Sequence, residues 1–409
     1  MPVTALATLV MAHTVVGAVG VPGYALFALM TTLPSVLPLT DLGAGAAIVQ
    51  AIPRDQSPDR TLLWGTVLSA AHNLMCAAAL IAFTGVMVAL FGVSGVLLGD
   101  AAQPGSDLAF ALAAVLFACS MPLGLSRSIL MAVNRNQTAF LMQAGGSVLL
   151  LLLVLAAAAT AAPLPVFIGA FFFSQCVVGA LSVVIAGRYL GMPLMAIILG
   201  SIRTRERERR KPIGHLAMPM TIVTAASAVA YATDRLVLSH SADAAAVAGY
   251  SAGAQFFAPA SSLLSAAGLP LWALFAERRS AAGTPRGDLV RLLVLFGAGG
   301  LAVGAVITLL GPVAGSWMMH EQLRVGTGLM VAFAALLFVQ AVSYPAVIWL
   351  TDEAGLRFQA TAFSLMAVVN LAVSIPLARW GAVGPVLGSV ASFTALVAVP
   401  AIVRALRRA

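Results

Sequence analysis

Long apolar stretches follow one another along almost the whole chain, and only short polar breaks separate them. Most stretches reach the roughly 20 residues that an α-helix needs to cross the hydrocarbon core of a bilayer. Because lipid offers the backbone no hydrogen bonds, such stretches are predicted to be helical. The sequence predicts an all-α polytopic membrane protein with about 12 transmembrane helices, at residues 2–19, 22–51, 61–92, 107–133, 138–161, 164–189, 214–240, 245–276, 289–312, 326–350, 357–377 and 382–403.

The few charged residues carry a signal of topology. They make up 9% of the chain, against about 25% in soluble domains. The breaks after even-numbered spans hold most of the arginines, whereas the opposite breaks hold little beyond Arg324 and Arg379. Because basic loops face the cytoplasm, we predict a multi-pass protein of the plasma (inner) membrane with both termini cytoplasmic. The net charge of +8 then reflects orientation and is no evidence of nucleic-acid binding.

A weak internal repeat indicates two halves. The motif Val21-Pro-Gly-Tyr-Ala25 is matched 226 residues later by Val247-Ala-Gly-Tyr-Ser251, and six predicted spans lie on each side of one basic segment. Repeats of the same orientation are typical of secondary transporters, which bind substrate between their halves. The predicted organisation is therefore an N-terminal six-helix bundle at 1–200, a basic cytoplasmic connector at 201–212 and a C-terminal six-helix bundle at 213–409.

Three charged residues inside spans are candidates for substrate binding. A charge in a span costs a few kcal/mol and usually faces a cavity or a partner. Asp234 and Arg235 are adjacent in the seventh span, and Arg127 lies in the fourth. A guanidinium suits a pyrophosphate or another acidic group. We predict that these residues bind substrate or a coupling ion, and the alternative is a packing role, for example an ion pair between Arg127 and Asp41.

Further candidates are titratable or polar residues within spans. Asp41 follows two prolines in the second span, which predicts a kink, and a titratable group there is a candidate for ion coupling, as are Asp234 and His72. The alternative for His72 is a hydrogen bond to a neighbouring helix. We expect Tyr24, Tyr250 and Gln255 to line a cavity and contact the substrate.

Several activities lack their sequence signatures. Lys211 is the only lysine, and no glycine-rich loop precedes it, so the chain has no Walker A motif for ATP hydrolysis. No HExxH motif and no cluster of carboxylates appears. We therefore predict that the protein is no enzyme, carries no cofactor or metal, and draws its energy from a gradient, from the membrane potential or from downstream removal of product.

Ordered motifs resemble those of bacterial polysaccharide flippases, a family of the multidrug/oligosaccharidyl-lipid/polysaccharide exporter superfamily. The resemblance rests on five segments, namely Val21–Ala25, Leu39–Gly45, Ile129–Arg135, Tyr231–Leu238 and Asn370–Gly384. It implies two six-helix bundles around a central cavity, and flipping of a lipid-linked oligosaccharide from the inner to the outer leaflet. It also implies that Arg127, Asp234 and Arg235 contact the pyrophosphate-sugar head group.

The resemblance leaves other functions open. The main alternative is an exporter of drugs or other small molecules, coupled to H⁺ or Na⁺, from the same superfamily, and a non-transporting scaffold is another. The expected partners are the lipid-linked glycan, membrane lipids and the glycan polymerase or glycosyltransferases of the same pathway.

Overall fold

The computed structural model describes residues 2–36, 60–133, 135–201, 217–281 and 286–408. Within these ranges the chain forms helices and connecting turns without a β-strand. The main helices are α1 Pro2–Val36, α2 Arg60–Leu90, α3 Ser106–Ser120, α4 Leu125–Ala132, α5 Asn136–Ala159, α6 Leu164–Leu190, α7 Leu194–Gly200, α8 Ala217–Ser241, α9 Ala244–Ala281, α10 Arg286–Met318, α11 Thr327–Trp349, α12 Glu353–Leu377, α13 Val383–Phe393 and α14 Val399–Arg408.

Nine helical segments of the described residues are long and apolar enough to cross a membrane. The all-α polytopic prediction is therefore confirmed. The predicted span 107–133 consists of α3, a 3₁₀ turn at Pro122–Gly124 and α4, and the span 382–403 consists of α13, a π-helical turn and α14.

The structure confirms the predicted break between the first two spans. The non-helical backbone of Gly20 divides α1 into two helical segments, and Gly20 lies between the predicted spans 2–19 and 22–51. Gly20 has φ 72° and ψ 176°, a conformation that glycine adopts readily because it lacks a Cβ. The flanking residues are apolar, so a glycine rather than a polar loop makes the break between the two helical segments. Residues 37–51 lie outside the described part of the chain.

The chain forms two compact units. The C-terminal unit comprises Met1–Ala5, Gly20–Leu29 and Ile222–Ala409, and the N-terminal unit comprises Leu6–Val19 and Met30–Thr221. The boundary between Val19 and Gly20 coincides with the bend in α1. The predicted domain boundaries stay a prediction, and residues 202–212 of the predicted connector are outside the described ranges.

In the C-terminal unit, a glycine-lined face of α10 packs against α11. A Cβ on Gly300 would lie 2.5 Å from the Cβ of Ala341, and one on Gly311 would lie 2.6 Å from the Sδ of Met330. Small residues let membrane helices approach closely, and van der Waals packing then stabilises the pair. The glycines of α10 therefore form a packing surface.

A buried glutamine, Gln359, caps the C-terminal end of α11. The Gln359 side chain, on α12, donates hydrogen bonds to the carbonyl oxygens of Val347 at 2.9 Å and Leu350 at 2.7 Å. The last carbonyls of a helix have no partner within the helix, and an unpaired carbonyl is costly in lipid. Gln359 thereby fixes α12 against α11.

Candidate functional site

Asp234, on α8, is the centre of a buried polar cluster in the C-terminal unit. Asp234 is only 1% exposed. Four neutral groups donate hydrogen bonds to its carboxylate: the hydroxyls of Tyr250 (3.2 Å), Ser374 (3.1 Å) and Ser389 (3.0 Å), and the amide of Asn370 (3.3 Å). Among the described residues, no cationic side chain forms an ion pair with this carboxylate.

Asn370, on α12, connects the rest of the cluster to Asp234. Its amide also donates to the carbonyl oxygen of Ala230 at 2.9 Å. Its own Oδ1 accepts hydrogen bonds from Ser389 at 3.1 Å and Ser392 at 3.2 Å. The single proton of the Ser389 hydroxyl therefore faces two acceptors, Asp234 Oδ2 and Asn370 Oδ1. Seven side-chain oxygens of hydroxyl, carboxylate and amide type converge here, and such oxygens suit a proton or a hard cation.

The three serines of this cluster were missed by the sequence reasoning. Ser374 follows Asn370 by four residues on α12, and Ser392 follows Ser389 by three on α13. Residues with these spacings lie on one face of a helix, so a polar stripe was present in both segments. A π-helical turn at Thr394–Ala398 follows directly, a feature that often marks functional sites.

Two glycines of α13 allow α12 to approach closely enough to form the cluster. A Cβ on Gly388 would lie 3.0 Å from the Oγ of Ser374, and a Cβ on Gly384 would overlap the carbonyl oxygen of Leu377. The serines of the two helices meet at Asp234 because these two positions carry no side chain.

Replacing Gly384 by Ala should lower stability, because the new methyl group meets backbone that cannot rotate away. We expect a cost of about 1–3 kcal/mol, the usual range for overpacking, measured as the thermal unfolding midpoint of the detergent-purified protein. Gly328→Ala is the matched control, since open space surrounds Gly328 on α11. Equal midpoints for the two variants would contradict the close approach.

Arg235 lies beside Asp234 in sequence but makes different contacts. Its Nη1 donates to the carbonyl oxygen of Ala28 on α1 at 3.3 Å, and its guanidinium lies 5.8 Å from the ring centre of Tyr250. This distance is within the range of a cation–π contact. Tyr250 thus contacts both members of the charged pair, with its hydroxyl at Asp234 and its ring at Arg235.

Tyr24 and Gln255, two further predicted site residues, also lie in the C-terminal unit. Tyr24, one turn before Ala28 on α1, is fully buried. Its hydroxyl forms no hydrogen bond with any described residue, Gln255 on α9 included, and the predicted substrate contacts of Tyr24 and Gln255 stay predictions. Arg235 binds the carbonyl oxygen of Ala28, one turn from Tyr24, and its guanidinium faces the Tyr250 ring, so both tyrosines of the sequence repeat lie near Arg235.

The other predicted site residues lie in the N-terminal unit or outside the described part. Arg127, on α4, is exposed and lines a cavity of about 420 Å³. His72, on α2, donates from Nδ1 to the carbonyl oxygen of Ser201 at 2.9 Å, and its Nε2 lies 3.7 Å from the Sγ of Cys76. Asp41 is outside the described residues. The roles of all three stay predictions, as does the pairing of Arg127 with Asp41.

Comparison with known proteins identifies the family and the fold. A family model described as polysaccharide biosynthesis protein matches residues 3–275. No curated protein matches the chain.

Three solved structures are similar over nearly the whole chain. One is an inward-facing multidrug resistance MATE family transporter of the MOP superfamily, with 16% identity and a TM-score of 0.70 over 99% of this chain and 94% of that one. Another is the lipid II flippase MurJ in an inward closed conformation, with 12% identity and a TM-score of 0.64 over 100% and 88%. A third is a MOP superfamily transporter from Pyrococcus furiosus, with 12% identity and a TM-score of 0.66 over 100% and 92%.

These similarities confirm the predicted fold class of about 12 transmembrane helices, the fold of transporters of the MOP superfamily. The match to the family model is the evidence at the level of sequence, and it covers more than half of the 409 residues. The chain belongs to the polysaccharide biosynthesis protein family.

Proposed function

We propose that the protein is a transporter that flips a lipid-linked oligosaccharide, a polyprenyl-pyrophosphate sugar, from the inner to the outer leaflet by alternating access. The transported glycan would serve synthesis of cell-surface polysaccharide. The observation that carries this proposal is the match to the polysaccharide biosynthesis family. The similarity in fold to a lipid II flippase is consistent with it.

The driving force in this proposal is a cation that binds at Asp234. A buried carboxylate with only neutral partners is costly unless a proton or a cation neutralises it. Ser374, Ser389 and Asn370 supply further oxygens around the carboxylate. We propose that H⁺ or Na⁺ occupies this cluster during part of the transport cycle, while Asp41 and His72 remain secondary candidates for coupling.

The second candidate function is a cation-coupled exporter of drugs or small molecules. The similarity to a multidrug transporter favours it, and the Asp234 cluster would serve it equally well. The cavity that Arg127 lines is a poor site for a cationic drug. Arg127 carries a positive charge, and no acidic residue is among the described residues that line the cavity. A guanidinium in that cavity favours an anionic substrate.

The proposal includes the orientation and partners expected from the sequence. Both termini lie in the cytoplasm of a cell with an inner membrane, so substrate enters from the side on which its sugar is assembled. Glycosyltransferases would supply the lipid-linked glycan, and a glycan polymerase would consume it.

The experiment is a flipping assay in liposomes that contain the purified protein. The probe is a fluorescent farnesyl-diphospho-N-acetylglucosamine, and its arrival in the opposite leaflet is measured by chemical quenching. Arg235→Ala should slow flipping by about 10–100-fold, because truncating one partner of a desolvated charged contact typically costs 2 kcal/mol or more. Arg291→Ala should stay within about twofold, because Arg291 is an exposed residue whose ion pair with Asp288 spans 3.9 Å.

Two results would count against the proposal. Liposomes with protein that flip no faster than empty ones would remove the flippase function. Transport of a cationic dye in place of the glycan probe, with the same dependence on Arg235, would favour the exporter.

A further inference from the structure

The last helix of the described chain, α14, has a buried side and an exposed side. Ala401 and Ala405 are buried and pack in one apolar cluster with residues of α9, α10 and α11. On the other side, Val399 and Val403 are 51% and 42% exposed. Both valines belong to the candidate span Val383–Arg408, and exposed apolar side chains of a span contact the hydrocarbon chains of lipids. This side of α14 therefore faces the bilayer.

Two arginines continue the exposed side to the end of the span. At 3.6 residues per turn, Val403, Arg404 and Arg407 lie within about 100° of one another around α14. Residues three apart on a helix have their Cβ atoms about 5–6 Å apart, so one group can reach both arginines. The lipid head groups lie at the ends of spans. The two arginines are thus placed at the depth of a lipid phosphate.

The carboxylates at this end of the unit are paired with other arginines. Asp352 accepts hydrogen bonds from Arg408 at 3.1 and 3.2 Å. Glu353 accepts one, at 2.7 Å, from an arginine one turn further along α12. Within the described ranges, neither Arg404 nor Arg407 forms an ion pair. Two positive charges on the exposed side of α14 therefore lack a counter-ion among the residues that the structure describes.

An aromatic ring holds Arg404 in place. Its guanidinium carbon lies 4.7 Å from the ring centre of Phe358 on α12, within the range of a cation–π contact. Its Nε is buried and forms no hydrogen bond with any described residue, although a buried donor without a partner costs free energy. A guanidinium that lies over a ring keeps its N–H groups directed outward in its own plane, where they can bind two phosphate oxygens at once.

We propose that Arg404 and Arg407 form a binding site for an anionic phospholipid, whose acyl chain lies along Val399 and Val403. The complementary charge identifies this occupant, because two arginines without a counter-ion attract a phosphate and the valines below them require an apolar cover. In the orientation proposed above, this end of α14 faces the cytoplasmic leaflet, whose anionic lipids attract basic residues. The site does not depend on which cargo the protein transports.

The test measures the affinity of the first lipid that binds to the full-length protein in detergent, by native mass spectrometry. The probes are phosphatidylglycerol, phosphatidylcholine and glycerol 3-phosphate. The wild type should bind phosphatidylglycerol about 10–30-fold more tightly than phosphatidylcholine, because the choline group brings a positive charge next to two arginines. Glycerol 3-phosphate should not displace phosphatidylglycerol, because it has no chain to cover the valines.

The variants separate specific binding from general attraction. Arg404→Gln should weaken phosphatidylglycerol binding by about 10–100-fold, as expected for lost hydrogen bonds to a charged group. Arg407→Gln should weaken it by about fivefold, the contribution of one exposed basic residue. Arg291→Gln is the matched control, because it also removes one positive charge but from an exposed arginine that already has Asp288 at 3.9 Å. This control should change the affinity by less than about twofold.

A lysine variant tests the geometry of the contact. Arg404→Lys keeps the positive charge but lacks the planar fork of the guanidinium, so it should still weaken binding by about fivefold, the value of one hydrogen bond. Affinity equal to that of the wild type would show that Arg404 acts only through its charge and would overturn the proposed geometry.

Four other results would overturn the site. Equal losses in Arg404→Gln and Arg291→Gln would mean that the positive end of the unit attracts lipid without a defined site. Equal affinity for phosphatidylglycerol and phosphatidylcholine would exclude recognition of the anionic head group. Displacement by glycerol 3-phosphate would indicate a site for a free anion. If Arg404→Gln does not fold, the exposed Arg407 decides, since unchanged affinity in Arg407→Gln would refute a site made of two arginines.

Discussion

Replacing Asp234 by Asn should abolish the response of transport to a cation gradient while the protein remains folded. The amide is close in size to the carboxylate and keeps hydrogen-bonding atoms near Ser374 and Ser389, so the helices should stay packed. It carries no negative charge, however, and cannot take up a proton or attract Na⁺. The coupling free energy between two binding sites is commonly about 1–3 kcal/mol, or about 5–150-fold in affinity. We expect Asp234→Asn to abolish this coupling between the cation and the cargo completely.

The measurement compares transport in liposomes with a proton gradient, with a sodium gradient and without either. The wild type should respond to one of the two, which identifies the cation. Asp352→Asn is the matched control, because Asp352 forms an exposed ion pair with Arg408 at 3.1 Å. A gradient response that survives in Asp234→Asn would move the cation site away from this cluster.

Replacing Asn370 by Ala should cause the largest loss of stability among single polar residues of the cluster. Asn370 is fully buried, and its amide joins Asp234, Ala230, Ser389 and Ser392. Truncation removes two donated and two accepted hydrogen bonds and leaves buried polar groups unsatisfied. We expect a cost of about 2–4 kcal/mol, since each buried group left without a partner costs roughly 1–3 kcal/mol.

Thermal unfolding of the purified variant checks this expectation. Asn73→Ala serves as the control, because Asn73 is exposed on α2 and its truncation should change stability by less than about 0.5 kcal/mol. Asn370→Ala with the stability of the wild type would mean that the cluster is not a cooperative network, and its role as a cation site would lose its structural basis.

The helices were largely predictable because lipid forces long apolar stretches into one conformation. The predicted span 164–189 corresponds to α6, Leu164–Leu190, and the predicted span 326–350 corresponds to α11, Thr327–Trp349. Pro163 precedes the first of these helices and Gly191 follows it, and Gly326 precedes the second. The break at Gly20 lies among apolar residues, and there the glycine itself, which readily adopts a positive φ, is the signal in the sequence.

The candidate site was predictable only where it contains unusual residues. Asp234 and Arg235 stood out because charges are rare in spans, and Tyr250 because its motif repeats. Ser374 and Ser389 did not stand out, since serine is common in membrane helices and each hydroxyl could bond its own backbone. Their convergence depends on how closely two helices pack, which the pattern within either helix does not reveal.

The position of Tyr250 has a thermodynamic consequence. One phenol contacts the carboxylate that would hold the driving cation and the guanidinium proposed to contact the cargo. If a cation bound at Asp234 moves the Tyr250 side chain, it changes the affinity of the protein for the cargo at Arg235. At equilibrium the cargo must then change the affinity for the cation by the same factor. Cargo should therefore alter the apparent dissociation constant of the cation as strongly as the cation alters that of the cargo, and Tyr250→Phe should reduce both effects together.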